Sequence, residues 1–124
     1  MLNKILLFIG AALPIIWGIA HIFPTKSIVK GFGDISMDNK RIITMEWIIE
    51  GVALIFIGVV IASVTYFDYT NAVSYLIYTI TFLFLNILSV VSVMTGFKVN
   101  FFAFKLCPVF FTGSSIMILL GNII

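Results

Sequence analysis

The chain has 124 residues, of which 62% are hydrophobic and 10% charged, with a mean hydropathy of +1.25 and a formal net charge of +2. A soluble domain carries about 25% charged residues to cover its surface, and a chain this short has too high a surface-to-volume ratio to hide such an apolar surplus inside itself. The surplus must therefore face lipid. With no long basic run, the chain is also no partner for nucleic acid, which needs a clustered cationic face.

Crossing about 30 Å of hydrocarbon takes about 20 apolar helical residues, and four runs have that length. The first covers 5–23, contains Pro14 and stops before Pro24. It also fits a secretory signal, with Lys4 as its basic start and Gly18-Ile19-Ala20 as a cleavage site; we read it as a span. The connection 24–41 is the longest and most polar. Within it Ile28, Val29, Phe32 and Ile35 recur at helical spacing beside Lys26 and Lys30, the pattern of a short segment in the headgroup layer, although Gly31 and Gly33 weaken a helix. Asp38 is the expected N-cap of the second span, 42–62. The third covers 72–95, and the fourth, with Pro108, covers 101–124.

Backbone polar groups in lipid must be satisfied internally, so these runs read as helices, and intramembrane prolines are tolerated where a neighbour satisfies the freed carbonyl. The connections 63–71 and 96–100 are short, so the helices they join should be antiparallel neighbours. The expected fold class is all-α: an integral membrane four-helix transmembrane bundle of up-down topology, forming a single domain over 1–124, with a short interfacial segment between the first two spans. Lys26, Lys30, Lys40, Arg41, Lys98 and Lys105 fall on one side of it and only Lys4 on the other. The positive-inside rule then places both termini outside.

Glu46 and Glu50 are four residues apart in the second span and share a helix face. An intramembrane carboxylate costs several kcal/mol unless paired, hydrated or neutralised. Both are therefore expected to point into the bundle or a wet cavity, as candidates for ligand binding or proton exchange. His21 ends the first helix on the face carrying Gly10, Pro14 and Gly18, whose small residues suit close helix approach. Asn86 and Ser89 in the third span, and Lys105 and Cys107 in the fourth, should reach the same layer.

Each has a plainer reading. Lys105 could neutralise a glutamate as a structural pair or snorkel to the headgroups. His21 could simply hydrogen-bond a carboxylate or a backbone carbonyl. Asn86 reads better as an interhelical hydrogen-bonding residue than as a ligand contact, and Cys107 as a small buried hydrophobe. For the glutamates the functional reading is preferred, the default for intramembrane ionisable groups.

Two carboxylates and one imidazole make a thin metal-ligand set, and we assign no metal. Asp34, Ser36 and Asp38 begin like a calcium loop, but Asn39 and Met45 replace its turn glycine and final glutamate. Phe101, Phe102, Phe104, Phe110 and Phe111 crowd the fourth span. They read as packing and lipid-facing surface first, and as a pocket for a lipid, sterol or quinone second. Trp17, Trp47, Tyr66 and Tyr69 near span ends read as interfacial anchors. The single cysteine allows no intrachain disulfide.

The strings His21-Ile-Phe-Pro-Thr25 and Met45-Glu-Trp-Ile-Ile-Glu-Gly51, followed by Leu54-Ile-Phe-Ile-Gly58, resemble those of small bacterial four-helix membrane proteins. The architecture is similar to the DoxX-like group, some of whose members accompany quinone-linked oxidoreductases. The resemblance implies a multi-pass protein of the bacterial inner membrane and a quinone or redox-accessory role; it carries over no catalytic residue.

The leading expectation is a protein holding a lipophilic small molecule of lipid or quinone type, its polar end oriented by Glu46, Glu50 and His21, or serving as a redox-accessory subunit. The alternatives are a membrane-embedded enzyme doing acid–base chemistry on a lipophilic substrate and a proton-coupled or cation transporter. Sequence alone does not decide between enzyme and binder and names no cofactor. The expected partners are the bilayer, the lipophilic ligand, and a second copy of the chain or another membrane protein.

Overall fold

A computed structural model describes residues 1–124. It is all-helical: α1 Leu2–Ile22, α2 Thr25–Gly31, α3 Met37–Asp68, α4 Ala72–Thr95 and α5 Phe102–Ile123. α1, α3, α4 and α5 are long and apolar enough to cross a membrane. Only 23 of the 124 residues are buried, so the apolar surplus lies on the outside. Ile16, Phe56, Ile80, Leu83, Ile87 and Val109 all point away from the core, a surface that only acyl chains can cover favourably. The protein is an integral membrane four-helix bundle.

α1 packs between α3 and α5, α4 packs on α5, and α3 meets α4 over a small patch. Glycines set this order. Gly18 lies so close to α3 that a Cβ on it would sit 2.5 Å from the Gly51 carbonyl oxygen, and one on Gly10 would sit 2.7 Å from Ile118 Cγ1 of α5. Lipid is as apolar as a helix surface, so close packing and interhelical hydrogen bonds must drive association. The Gly10, Pro14 and Gly18 face of α1 supplies the close packing, and all three are buried.

Pro14 removes the donor that would satisfy the Gly10 carbonyl one turn back. Ser114 Oγ of α5 donates to that oxygen at 2.6 Å, so the proline defect becomes a hydrogen bond between helices. Thr65 and Tyr78 hydroxyls meet at 3.0 Å between α3 and α4, and Ser89 and Thr112 hydroxyls at 2.7 Å between α4 and α5.

Three expectations need correction. α3 covers 37–68 rather than 42–62, and Ser36, not Asp38, caps it by accepting from the Asn39 amide at 3.1 Å. Hydropathy marks where a helix is apolar, whereas the helix itself continues to its caps. At 32 residues α3 is about 48 Å long, so its ends stand beyond the hydrocarbon. The α3–α4 connection is consequently only 69–71, with Asn71 capping α4 through the Ser74 amide at 2.9 Å. Short as that link is, α3 and α4 do not pack along their length. Their Thr65–Tyr78 contact lies near the turn, and beyond it α3 follows the glycines of α1 while α4 follows α5. Finally, Asn86 is no interhelical bridge: its Nδ2 donates to the Phe82 carbonyl of its own helix at 2.7 Å.

The segment between the first two spans does contain a helix, α2, of seven residues. Gly33, at φ +76°, takes a left-handed conformation beyond it, one that glycine adopts without steric cost. Residues of α2 and of 99–104 line one groove, so both of these connections lie at the same end of the bundle. Lys4 stands at the other end, its Nζ 5.5 Å from the Tyr69 ring centre.

Candidate functional site

His21 lies in the last turn of α1 and is 8% exposed. The Gly18–Gly51 approach draws this end of α1 against α3. There Trp47 stacks on the imidazole, with ring centres 4.0 Å apart and planes 13° from parallel. Trp47 Nε1 also donates to the His21 carbonyl oxygen at 2.5 Å. That oxygen is among the last four carbonyls of α1, which have no partner within a helix, so one side chain satisfies the helix end and holds the ring.

Glu50 follows Trp47 by three residues and so projects from nearly the same side of α3. Its Oε2 lies 3.3 Å from His21 Nε2, while its side chain is 56% exposed. The two groups are close enough to pair by charge or exchange a proton, but they are not aligned as a hydrogen bond, and Nε2 has no other partner. The buried end of the pair is thus the imidazole and the open end the carboxylate.

An apolar chamber of about 320 Å³ lies against His21, walled by Trp17, Ala20, Trp47, Phe104 and Cys107 among others. Trp17 stacks on Phe110 at 4.4 Å between ring centres. Its Nε1–H has no hydrogen-bond acceptor of ordinary geometry, the Cys107 thiol being the polar group beside it. Phe104 stands edge-on to Trp47 at 5.7 Å and to Phe101 at 5.9 Å, the arrangement aromatic quadrupoles favour. Pro24, Trp47, Phe101 and Phe104 also line a wider groove of about 630 Å³ beneath α2. A separate cavity of about 280 Å³ contains Glu50, Ser92 and Thr95, and shares His21, Phe104 and Cys107 with the chamber. It opens where α3 and α4 have diverged. His21 therefore stands between an apolar chamber and a polar one.

The other residues singled out in the sequence fall elsewhere. Glu46 is exposed, forms no ion pair and borders neither space. Lys105 reaches neither glutamate: its Nζ donates to the Phe97 carbonyl at 2.7 Å and lies 4.8 Å from that ring's centre, bracing the 96–101 connection. Asn86 is bonded within α4 and lines neither space. Cys107 is half-buried in the shared wall.

Trp17 is buried at 9% exposure rather than anchored at the interface, because the α1 face that carries it packs inside. With Trp47 and Phe104 it lines the chamber; from sequence both tryptophans read as interfacial anchors, and the Phe cluster took a pocket role only second to packing. A signal for the tryptophans existed: Trp17 precedes His21 by four residues and Trp47 precedes Glu50 by three, one helical turn each. Nowhere do three His, Cys, Asp or Glu side chains converge as metal ligands would.

These features define a small integral membrane helical bundle with an aromatic chamber whose wall includes His21, and with Glu50 beside that histidine in a neighbouring cavity. Comparison with protein-family models, curated proteins and solved structures found no match.

Proposed function

We propose that the protein binds a lipophilic small molecule of lipid or quinone type, as a binding or redox-accessory component of a bacterial inner membrane. The observation that carries this reading is the apolar, ring-lined chamber of about 320 Å³ with His21 in its wall, the imidazole Nε2 being buried without an aligned hydrogen-bond partner. Small-molecule sites are mostly apolar concavities of about 300–1,000 Å³ with a few fixed polar groups. A planar head would lie along Trp47 and Phe104, its oxygen meeting His21, with its tail in the groove beneath α2. Glu50, open to the second cavity, would exchange protons with water. The resemblance of 21–25 and 45–51 to small bacterial four-helix membrane proteins, and of the architecture to the DoxX-like group, weighs the same way. The excess of Lys and Arg at the α2 end supports a cytoplasmic position for that end, with both termini outside.

The test is to incubate the purified protein with bacterial lipid extract and identify retained molecules by mass spectrometry. Enrichment of a quinone or a lipid over an unrelated membrane protein of similar size is expected. Equal retention by the two would overturn the reading. A second reading, acid–base catalysis on the bound molecule, is favoured by the 3.3 Å approach of His21 and Glu50. Isomerisation or proton exchange of the retained molecule that persists in a Glu50→Gln, His21→Asn double variant would remove it.

A further inference from the structure

α2 presents two unlike faces. Pro24, Ser27, Ile28 and Gly31, at the three- and four-residue spacing of one helix side, line the apolar groove beneath it. Lys26 and Lys30, themselves four apart, line a different cleft on its other side. Opposite them the first turns of α3 contribute Lys40 and Thr44, and the cleft has a volume of about 290 Å³. Three lysines thus line one concavity at the end of the bundle where a membrane headgroup layer must lie.

None of the three has a carboxylate within 4.0 Å. The nearest acid on α3, Asp38, is engaged by Arg41 at 3.7 Å. The hydroxyls that line the cleft are committed as donors, Thr25 to the Ile22 carbonyl and Thr44 to the Lys40 carbonyl. The unspent donors of the cleft are therefore the lysines. Like charges gathered in one cleft repel each other, and a multivalent oxyanion relieves that repulsion while accepting from all three.

We propose that the cleft between α2 and the start of α3 binds the phosphate of an anionic membrane-lipid headgroup, held by Lys26, Lys30 and Lys40. A lipid is a better source of that phosphate than solution because α2 lies across the groove with its apolar side towards the acyl region. The headgroup then meets the basic side without leaving the interface. This site is independent of the chamber at His21, since none of its residues borders that chamber.

The full chain in neutral detergent, offered equal amounts of dioleoylphosphatidylglycerol and dioleoylphosphatidylcholine, tests it by native mass spectrometry of retained lipid. The expected result is a phosphatidylglycerol preference that falls about fivefold for each lysine replaced, on the scale of one basic residue near an anionic surface. Lys26→Gln, Lys30→Gln and Lys40→Gln should each lower the preference, and Lys4→Gln, at the opposite end, should not. A triple arginine variant keeps the charges and should keep the preference. If the glutamine variants lose helicity, the arginine variant and the two-lipid comparison on the unaltered chain decide. Equal retention of the two lipids by the unaltered chain would overturn the proposal. So would phosphorus NMR showing millimolar inorganic phosphate bound at the lysines with no lipid preference, which would identify a free-phosphate site instead.

Discussion

At His21, an aromatic stack, a backbone hydrogen bond and a carboxylate act on one residue from one turn of α3. Glu46 shares the helix with Glu50 but not its surroundings. Four residues make slightly more than one turn, an offset of about 40°, and that turn also carries Glu46 away from the end of α1. Replacing Glu50 by Gln removes the charge beside the imidazole and should weaken retention of the lipophilic ligand about fivefold, the upper end for a largely exposed ion pair. Glu46→Gln should leave it unchanged. Titrating both variants with a short-chain quinone, followed by quenching of tryptophan fluorescence, checks this. Equal losses would show the two carboxylates to be equivalent. The sequence singled out His21 and both glutamates; it could not separate the two acids, because a shared helix face says nothing of how far a neighbouring helix extends.

The elements are held by backbone approach more than by large side chains. Gly18 and Gly113 both sit inside spans, yet their environments differ. A Cβ on Gly18 would press on the rigid Gly51 carbonyl at 2.5 Å, whereas one on Gly113 would meet only Leu13 Cδ1 at an ordinary 3.7 Å. Gly18→Ala should therefore destabilise the bundle by about 1–3 kcal/mol, the usual range for overpacking. Gly113→Ala should be neutral or stabilise by up to about 1 kcal/mol through helix propensity. Thermal unfolding of both variants in the same detergent measures the contrast, and a loss of equal size at Gly113 would contradict it. The spacing in 24–41 pointed to a short interfacial segment without deciding that it is helical, and the helix α2 covers only Thr25–Gly31 of it. The spans themselves were legible as apolar runs. The true length of α3 was not, because 37–41 is polar and helical at once, continued by the Ser36 cap rather than by hydropathy.

For the molecule as a whole, charge is distributed by end. The end of the bundle that holds the α2 and 96–101 connections carries six of the seven basic residues, while Lys4 lies with the α3–α4 turn beside Tyr69. In a Cys107→Ser background, cysteines placed at Lys30 and Lys98 should react with an impermeant maleimide from the same face of inside-out vesicles. A cysteine at Lys4 should react only from the opposite face. Labelling of Lys30→Cys and Lys4→Cys from one face would refute the topology. The α3–α1–α5–α4 packing order also leaves α3 and α4 apart at the α2 end, so Glu50 faces an opening on the side of the bundle rather than a closed core.

Composition and hydropathy alone determined that this chain must live in lipid as four spans, because about 20 apolar residues in a row have no other favourable surroundings. They also marked His21 and the glutamates, since an ionisable group at that depth is costly enough to stand out against its neighbours. Only the tertiary structure decided that Glu50 rather than Glu46 meets the imidazole, that Trp17, Trp47 and Phe104 wall a chamber, and that Lys105 turns to a backbone carbonyl. Those outcomes depend on which glycines let which helices touch. That pairing is set by fit between surfaces distant in the chain, which local spacing does not encode.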